Sequence, residues 1–406
     1  MKILFCPCHY VFDDGERGSE LSWAYQIADG ISQRNTESVV VTGFKNISST
    51  KNYRIVELQR KYTTINLGLV NSLKFNLQYS LYIFSILRNE NFHIIHHVLP
   101  FSIDRTFNLS LALVGQKKLK KIIGPIQSPL PFFSDNIHDV HSRNSQIVNF
   151  ISSFFTGILH PLLSYLSYKT LQSADKIIVV NKATQRMLIE RKISPEKITI
   201  INPGVDSNKF PFTKHKKRES DSLQLMSVGS LIKRKGFDLL IQMMREIVKK
   251  EKNISLRIIG DGPQLKDLKQ MVKNYSLEEN IIFVGHISHH EISSFYKRAH
   301  LFVSMSRSES WGQMYLEAMS SGLPVISSKN TGSLDIVKDG KSGYLVEQED
   351  YKTAAQKVLY LAKNQAIMEK LSLSGRREVM KRYDWKKVII PKYLEVYNEI
   401  LNVRNN

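Results

Sequence analysis

The sequence predicts an α/β protein built from two doubly wound domains, and three observations carry that reading. Short β-rich apolar runs alternate with helical patterns nearly from end to end, the pattern of parallel sheets covered on both faces. A strongly hydrophilic break, TKHKKRESDS at 213–222, divides those runs into two sets of about six strands each. The length of 406 residues exceeds what one ordinary core organises.

The first set of candidate strands is KILFCP (2–7), SVVVTG (38–43), HIIHHV (93–98), KKIIGP (120–125), KIIVV (176–180) and KITIIN (197–202). The second is LQLMSVG (223–229), SLRIIG (255–260), NIIFVG (280–285), LFVSMS (301–306), LPVISS (323–328) and GYLV (343–346). The expected domains are 1–205 and 206–383, followed by a terminal helical segment at 384–406. Pro391 is expected to break or kink that last helix, DWKKVIIPKYLEVYNEIL, so that it crosses back onto the first domain.

Hydrophobic residues make up 42% of the chain and charged residues 23%, the balance of an ordinary folded protein. The two cysteines, Cys6 and Cys8, are too close along one strand for a structural disulfide, and they fit a reduced, cytoplasmic setting. With His9 they make half a metal site that no second cluster completes, so no metal is expected. The net charge of +20 calls for an anionic partner. Its spread over both halves, without zinc-finger spacing, aromatic RNP motif or basic zipper, argues against nucleic acid. The opening MKILFCPCHYVFDDG turns acidic before an apolar leader develops, so no signal peptide is expected. Neither FNLQYSLYIFSIL (75–87) nor IVNFISSFFTGILHPLLSYLSY (147–168) has the roughly 18 uninterrupted apolar residues of a span. Both read as buried helices on a sheet; the second, near Lys169 and Lys176, also reads as a segment lying on an anionic leaflet.

In doubly wound sheets ligands sit beyond the carboxyl ends of strands, so chemistry is sought in the strand-end loops. After LQLMSVG the chain reads SLIKRKGFDLLI, placing Lys233, Arg234 and Lys235 at a strand-to-helix turn. Three cations there suit a diphosphate, although no Walker loop is present and a solvated basic turn is the plain alternative. SRSESWGQMYLEAMSSGLPVIS (306–327) predicts a helix from Trp311 to about Ser321, with Ser310 as N-cap and Gly322 and Pro324 as the stop. Gly312 removes a side chain where a ligand must come close, and the N–H groups of Gly312 to Met314 would face an anion. Glu309 lies just before that helix, and Glu317, five to six residues into it, stands some 8–10 Å from its entry at roughly 1.5 Å rise per residue. Carboxylates beside phosphate make sense if each meets hydroxyl groups, as on a nucleotide sugar; otherwise Glu309 complements the helix dipole and Glu317 is a surface acid.

ESWGQMYLE resembles the E-x7-E signature of the GT-B glycosyltransferases of family 4, a large retaining group. GLPVISSKNTGSLDIVKDGKSGYLV, IIGDGP (258–263), FVGHISHHEISSFYKRAHLFVSMS (283–306) and INPGVDSNKF (201–210) follow the same family's landmarks in order, so the resemblance runs almost end to end. It implies two Rossmann-like domains facing an interdomain cleft. It also implies that Glu309 contacts the donor hexose, Glu317 the ribose and Lys235 the diphosphate. Gly285, His286 and Ile287 would line the base pocket, and Gly312, Gln313 and Met314 would lie at the phosphates. Where many members carry Arg after the phosphate-loop glycine, this chain has Ser230, with Lys233 or Arg234 as the expected replacement. In the first half, DDGERGSELSWAYQIADGI (13–31) resembles a glycine-rich loop in which Gly15 and Gly18 approach the transferring centre, and Glu20 complements the helix start or meets substrate. IIHHVLPFS (94–102) matches the histidine region, with His97 preferred over His96. IIGPIQSPLPFF (122–133) has Gln127 and Ser128 where some members have glycines.

The resemblance implies transfer of a sugar from a nucleotide diphosphate sugar to a glycan or lipid-linked acceptor, with no cofactor and no metal. Bacterial surface polysaccharide synthesis at the inner face of the membrane is the expected setting. A nucleotide-sugar epimerase on the same scaffold, an inactive donor-binding partner subunit and a nucleic-acid binder are the alternatives.

Overall fold

The computed structural model describes residues 1–7, 11–13, 22–34, 36–47, 53–58, 69–98, 111, 119–127, 165–214, 222–288 and 291–402. Two compact units emerge: among the described residues the first takes 1–203 and 389–402, the second 204–388.

Strands of the first unit are β1 (Lys2–Pro7), β2 (Val11–Asp13), β3 (Glu37–Thr42), β4 (Phe44–Asn46), β5 (Arg54–Glu57), β6 (Ile94–Val98), β7 (Lys120–Ile126), β8 (Lys176–Val179) and β9 (Ile198–Ile200). Seven form a parallel sheet in the order β5-β3-β1-β6-β7-β8-β9, and β2 pairs with β4 apart from it. Ile3, Leu4, Phe5 and Cys6 of the central β1 are all buried, as a strand covered on both faces requires. Cys6 is a free thiol, pushed up to about 12 by burial. The edge strand β5 and the β2–β4 pair were not expected from the pattern.

In the second unit β10 (Leu223–Val228), β11 (Ile254–Ile259), β12 (Ile281–Gly285), β13 (Leu301–Ser304), β14 (Val325–Ser328) and β15 (Gly343–Val346) form one parallel sheet ordered β12-β11-β10-β13-β14-β15. The chain winds outward from β10 in one direction and from β13 in the other. The order therefore reverses between those neighbours, where loops diverge and leave room for a ligand. Phe237–Val248 follows β10 and buries Phe237, Leu240, Ile241, Met244 and Ile247, the one-sided stripe of a helix lying on a sheet.

The chain enters the second unit at Gly204, upstream of the hydrophilic break expected to divide the domains. Val205 is already committed there: its N–H donates to Tyr383 O (2.7 Å), and its carbonyl accepts from Trp385 N (3.3 Å). Buried Asp384 accepts from Ser207 Oγ (2.6 Å) and Lys387 N (2.8 Å). The last helix is Ile390–Asn402, preceded by a π turn at Trp385–Ile389. Pro391 thus sits in a first turn, where its missing N–H has no intrahelical duty, and the wide π turn relieves the ring's clash upstream. This helix belongs to the first unit, where Tyr397 Oη lies 2.6 Å from His96 Nδ1.

Candidate active site

Gly236 shapes the basic turn. It is left-handed (φ 66°), and a Cβ there would meet Met305 O at 1.9 Å, so only glycine lets the turn lie against the end of β13. Lys233–Lys235 form a single 3-10 turn before it. Their side chains then diverge. Lys233 Nζ donates to Asp238 Oδ2 (2.6 Å) in an exposed ion pair. Arg234 Nη1 donates to Ser308 O (2.7 Å) and lies 3.7 Å from Glu309 Oε2. Lys235 Nζ forms an ion pair with Glu309 Oε1. Ser230, at the end of β10, is exposed.

The loop after β13 brings its carboxylate to those cations. Glu309 is 6% exposed, and its Oε1 also accepts from buried Ser306 Oγ (3.0 Å). Its carbonyl accepts from Gly332 N (2.9 Å), which fixes the backbone. The expected helix begins at Gln313, not Trp311, and runs to Ser321; the N-cap is Gly312 in place of Ser310. Gly312 is left-handed (φ 77°), and a Cβ would stand 2.6 Å from the Tyr315 ring, so glycine suits this cap, which lies two residues beyond Ser310. Gln313 is buried, with its side-chain amide donating to Gly204 O (2.7 Å), while Met314 is half-buried. Both supply N–H groups to a first turn that has no intrahelical acceptor for them.

Glu317 is not a surface acid: it is 3% exposed. Its Oε2 accepts from Tyr296 Oη (3.0 Å), in a phenol packed against Phe302 and edge-on to Phe210. Burial, reinforced by the Glu317 charge, pushes the Tyr296 phenol well above its ordinary range, so it stays a donor. Gly285 ends β12 with φ 84°, His286 is exposed and Ile287 is half-buried. A concavity of about 570 Å³ opens beside Ile287, lined also by Lys209, Phe295, Lys297 and Arg298.

In the first unit, neighbouring histidines on β6 point to opposite faces of the sheet. His96 Nε2 lies 2.9 Å from Gly124 O, which can only accept; Nε2 therefore carries the proton, and Nδ1 accepts from Tyr397. Burial holds this imidazole down at about 3, a structural role. His97 is 2% exposed on the other face, its strand neighbours being Cys6 and Ile123. Gln127 is buried just past β7. Gly15, Gly18, Glu20, Ser128, Cys8, His9 and 147–164 lie outside the described residues.

Two family models tile the chain: Glycosyltransferase Family 4 over 22–209 and Glycosyl transferases group 1 over 209–378. The chain belongs to the GT-B glycosyltransferases of family 4. The sequence is 28% identical over 221 residues to alpha-monoglucosyldiacylglycerol synthase of Streptococcus pneumoniae, covering 52% of this chain and 49% of that one. It is 27% identical over 240 residues to the capsular polysaccharide biosynthesis glycosyltransferase CapM of Staphylococcus aureus, covering 56% and 62%. The chain thus spans between about half and two thirds of the length of these curated relatives. Its fold is that of sucrose-phosphate synthase from Thermosynechococcus elongatus (TM-score 0.72, 17% identity, 99% of this chain and 100% of that one). It is also that of the Anabaena HepE structure in complex with UDP and glucose (0.64, 16%, 98% and 99%).

Proposed function

We propose that this chain transfers a sugar, with retention of configuration, from a nucleotide diphosphate sugar to an acceptor hydroxyl. The observation that carries this reading is the pairing of Lys235 with Glu309 across the switch point of the second sheet, next to the helix start at Gly312. Breaking an anomeric C–O bond throws negative charge onto the leaving diphosphate. Lys235 and the first-turn N–H groups of Gln313 and Met314 would meet that charge, a preorganised electrostatic term of the kind that dominates such catalysis. Glu309 would take hexose hydroxyls and Glu317 ribose hydroxyls, with Gly285, His286 and Ile287 at the base. In this scheme the leaving phosphate accepts the acceptor's proton on the front face, and no divalent ion is required. His97 is assigned to the reacting sugar, and Gly18 to the donor at the transferring centre. The relatives named as an alpha-monoglucosyldiacylglycerol synthase and a capsular polysaccharide biosynthesis glycosyltransferase favour a lipid-linked or glycan acceptor in bacterial envelope synthesis, approached from the cytoplasm by a basic protein.

Turnover tests the reading. With UDP-glucose, UDP-N-acetylglucosamine and GDP-mannose as donors and a lipid or glycan extract as acceptor, nucleoside diphosphate should be released only when acceptor is present. Lys235→Ala should lower kcat by orders of magnitude, the scale of removing one charge-stabilising group. Ser230, where many family members carry Arg, keeps one second reading, a donor-binding subunit without activity; tight donor binding with no release under any acceptor would select it.

A further inference from the structure

Arg307 lies two residues before Glu309 and was given no role by the sequence. All five of its guanidinium N–H donors are used. Nη1 donates to Asp238 Oδ1 (2.9 Å) and to Lys233 O (2.6 Å). Nη2 donates to Asp238 Oδ2 (3.0 Å) and to Glu349 Oε2 (3.2 Å), and Nε donates to Glu349 Oε1 (2.6 Å). Its backbone repeats the connection: Arg307 N donates to Arg234 O (2.8 Å), and its carbonyl accepts from Gln348 Nε2 (3.0 Å). One side chain therefore ties the basic turn, the start of the following helix and the loop before Tyr351 to the strand-end loop that carries Glu309.

The surroundings are built around this fork. Burial alone would raise the Asp238 carboxyl, but the bonds from Arg307 and Lys233 hold it below its usual range. Glu349 takes a left-handed backbone (φ 64°), uncommon for a residue with a side chain, and its carboxylate grips Arg307 twice. A planar five-donor fork can satisfy two carboxylates and a carbonyl at once; a lysine ammonium, with three donors about one point, cannot.

We propose that Arg307 is the positioning residue that fixes Lys235 and Glu309 relative to each other. It does not touch the donor. It acts through the backbone of 233–235 on one side and its own loop on the other, so losing it would misplace the cation and the carboxylate together. This rests on the proposed role of Lys235 at a diphosphate.

The test uses whichever of UDP, GDP and ADP the full chain binds, by titration calorimetry, together with melting curves. Lys235→Ala should weaken that probe severely; if it does not, or if no probe binds, the underlying reading falls. With Lys235→Ala weakened, Arg307→Lys should bind the probe at least about tenfold more weakly, the scale on which small misplacement acts. Arg307→Ala should regain much of its affinity on adding guanidinium ion below denaturing concentrations, because the ion refills the same sockets. Arg307→Lys binding as wild type, or loss in Arg307→Ala that guanidinium leaves unrepaired, overturns the proposal. Should the Arg307 variants fail to fold, Glu349→Gln carries the test, since that carboxylate is 57% exposed. A several-fold loss of probe affinity supports the clamp, and unchanged affinity overturns it.

Discussion

Replacing Glu309 by glutamine should tighten binding of a nucleoside diphosphate even as it impairs turnover. The Lys235 ammonium is held by Glu309, so an arriving diphosphate must take the cation from the carboxylate and then sit near that negative charge. Two unit charges about 4 Å apart interact by roughly 4 kcal/mol at an effective dielectric of 20, an upper bound for this competition. Lys235 and Glu309 side chains are 16% and 7% exposed, between a surface pair worth under about 1 kcal/mol and a buried one costing about 3–5 to break. A released penalty of about 1.5–3 kcal/mol corresponds to roughly ten- to hundredfold in Kd. The product lacks the hexose, so the hydroxyl contacts assigned to Glu309 do not enter. Titration of UDP, GDP and ADP into wild type and Glu309→Gln at low ionic strength reads the effect directly. Equal or weaker binding by the variant would refute the idea that carboxylate and diphosphate compete for Lys235.

Tyr296→Phe keeps the ring in its aromatic packing but removes one hydrogen bond to a carboxylate, worth about 1.5 kcal/mol or more. Donor KM should rise roughly tenfold with kcat nearly unchanged, and an unchanged KM in steady-state kinetics would detach Tyr296 from the donor site. His96 titrates near 6.5 when unfolded but at about 3 when folded, so its contribution is complete above 6.5 and is lost as pH falls from about 6.5 to about 3. Unfolding free energy should therefore drop by up to about 1.4 kcal/mol more per pH unit in wild type than in His96→Gln over that window, and parallel denaturant-derived curves would contradict the buried neutral imidazole. Gly312→Ala meets both a left-handed backbone and the Tyr315 ring, so it should cost at least about 1–2 kcal/mol and distort the helix start. A thermal midpoint equal to wild type would show that the turn is not built as described.

Strands with both faces buried, such as β1 and β10, announce themselves as apolar runs, and the fold class was legible from them. The helix stop at Gly322 was equally legible, because a left-handed C-cap has a residue type attached to it. The helix start was displaced by two residues, since Ser310 looks like a cap while the cap is the left-handed Gly312, where a Cβ would meet the Tyr315 ring. β5 escaped notice as a short, half-buried edge strand whose RIVE sequence carries no strong period. Side-chain partnerships were the least visible part. Nothing in the sequence links Lys233 to Asp238, Tyr296 to Glu317 or Arg307 to Glu349. Such pairs depend on where strand-end loops meet, which only the assembled sheet fixes.

The last helix has a practical consequence for anyone dissecting the molecule. A fragment ending at Pro203 would strip His96 of the phenol that Tyr397 provides and Lys176 of its salt bridge to Glu399, and it would leave the Ile390 contact at Gly30 bare. The amino-terminal half is therefore not separable by one cut: a stable excised version needs residues 389–402 spliced back on. Shortening the tail should harm the half that lies farthest from it in the sequence.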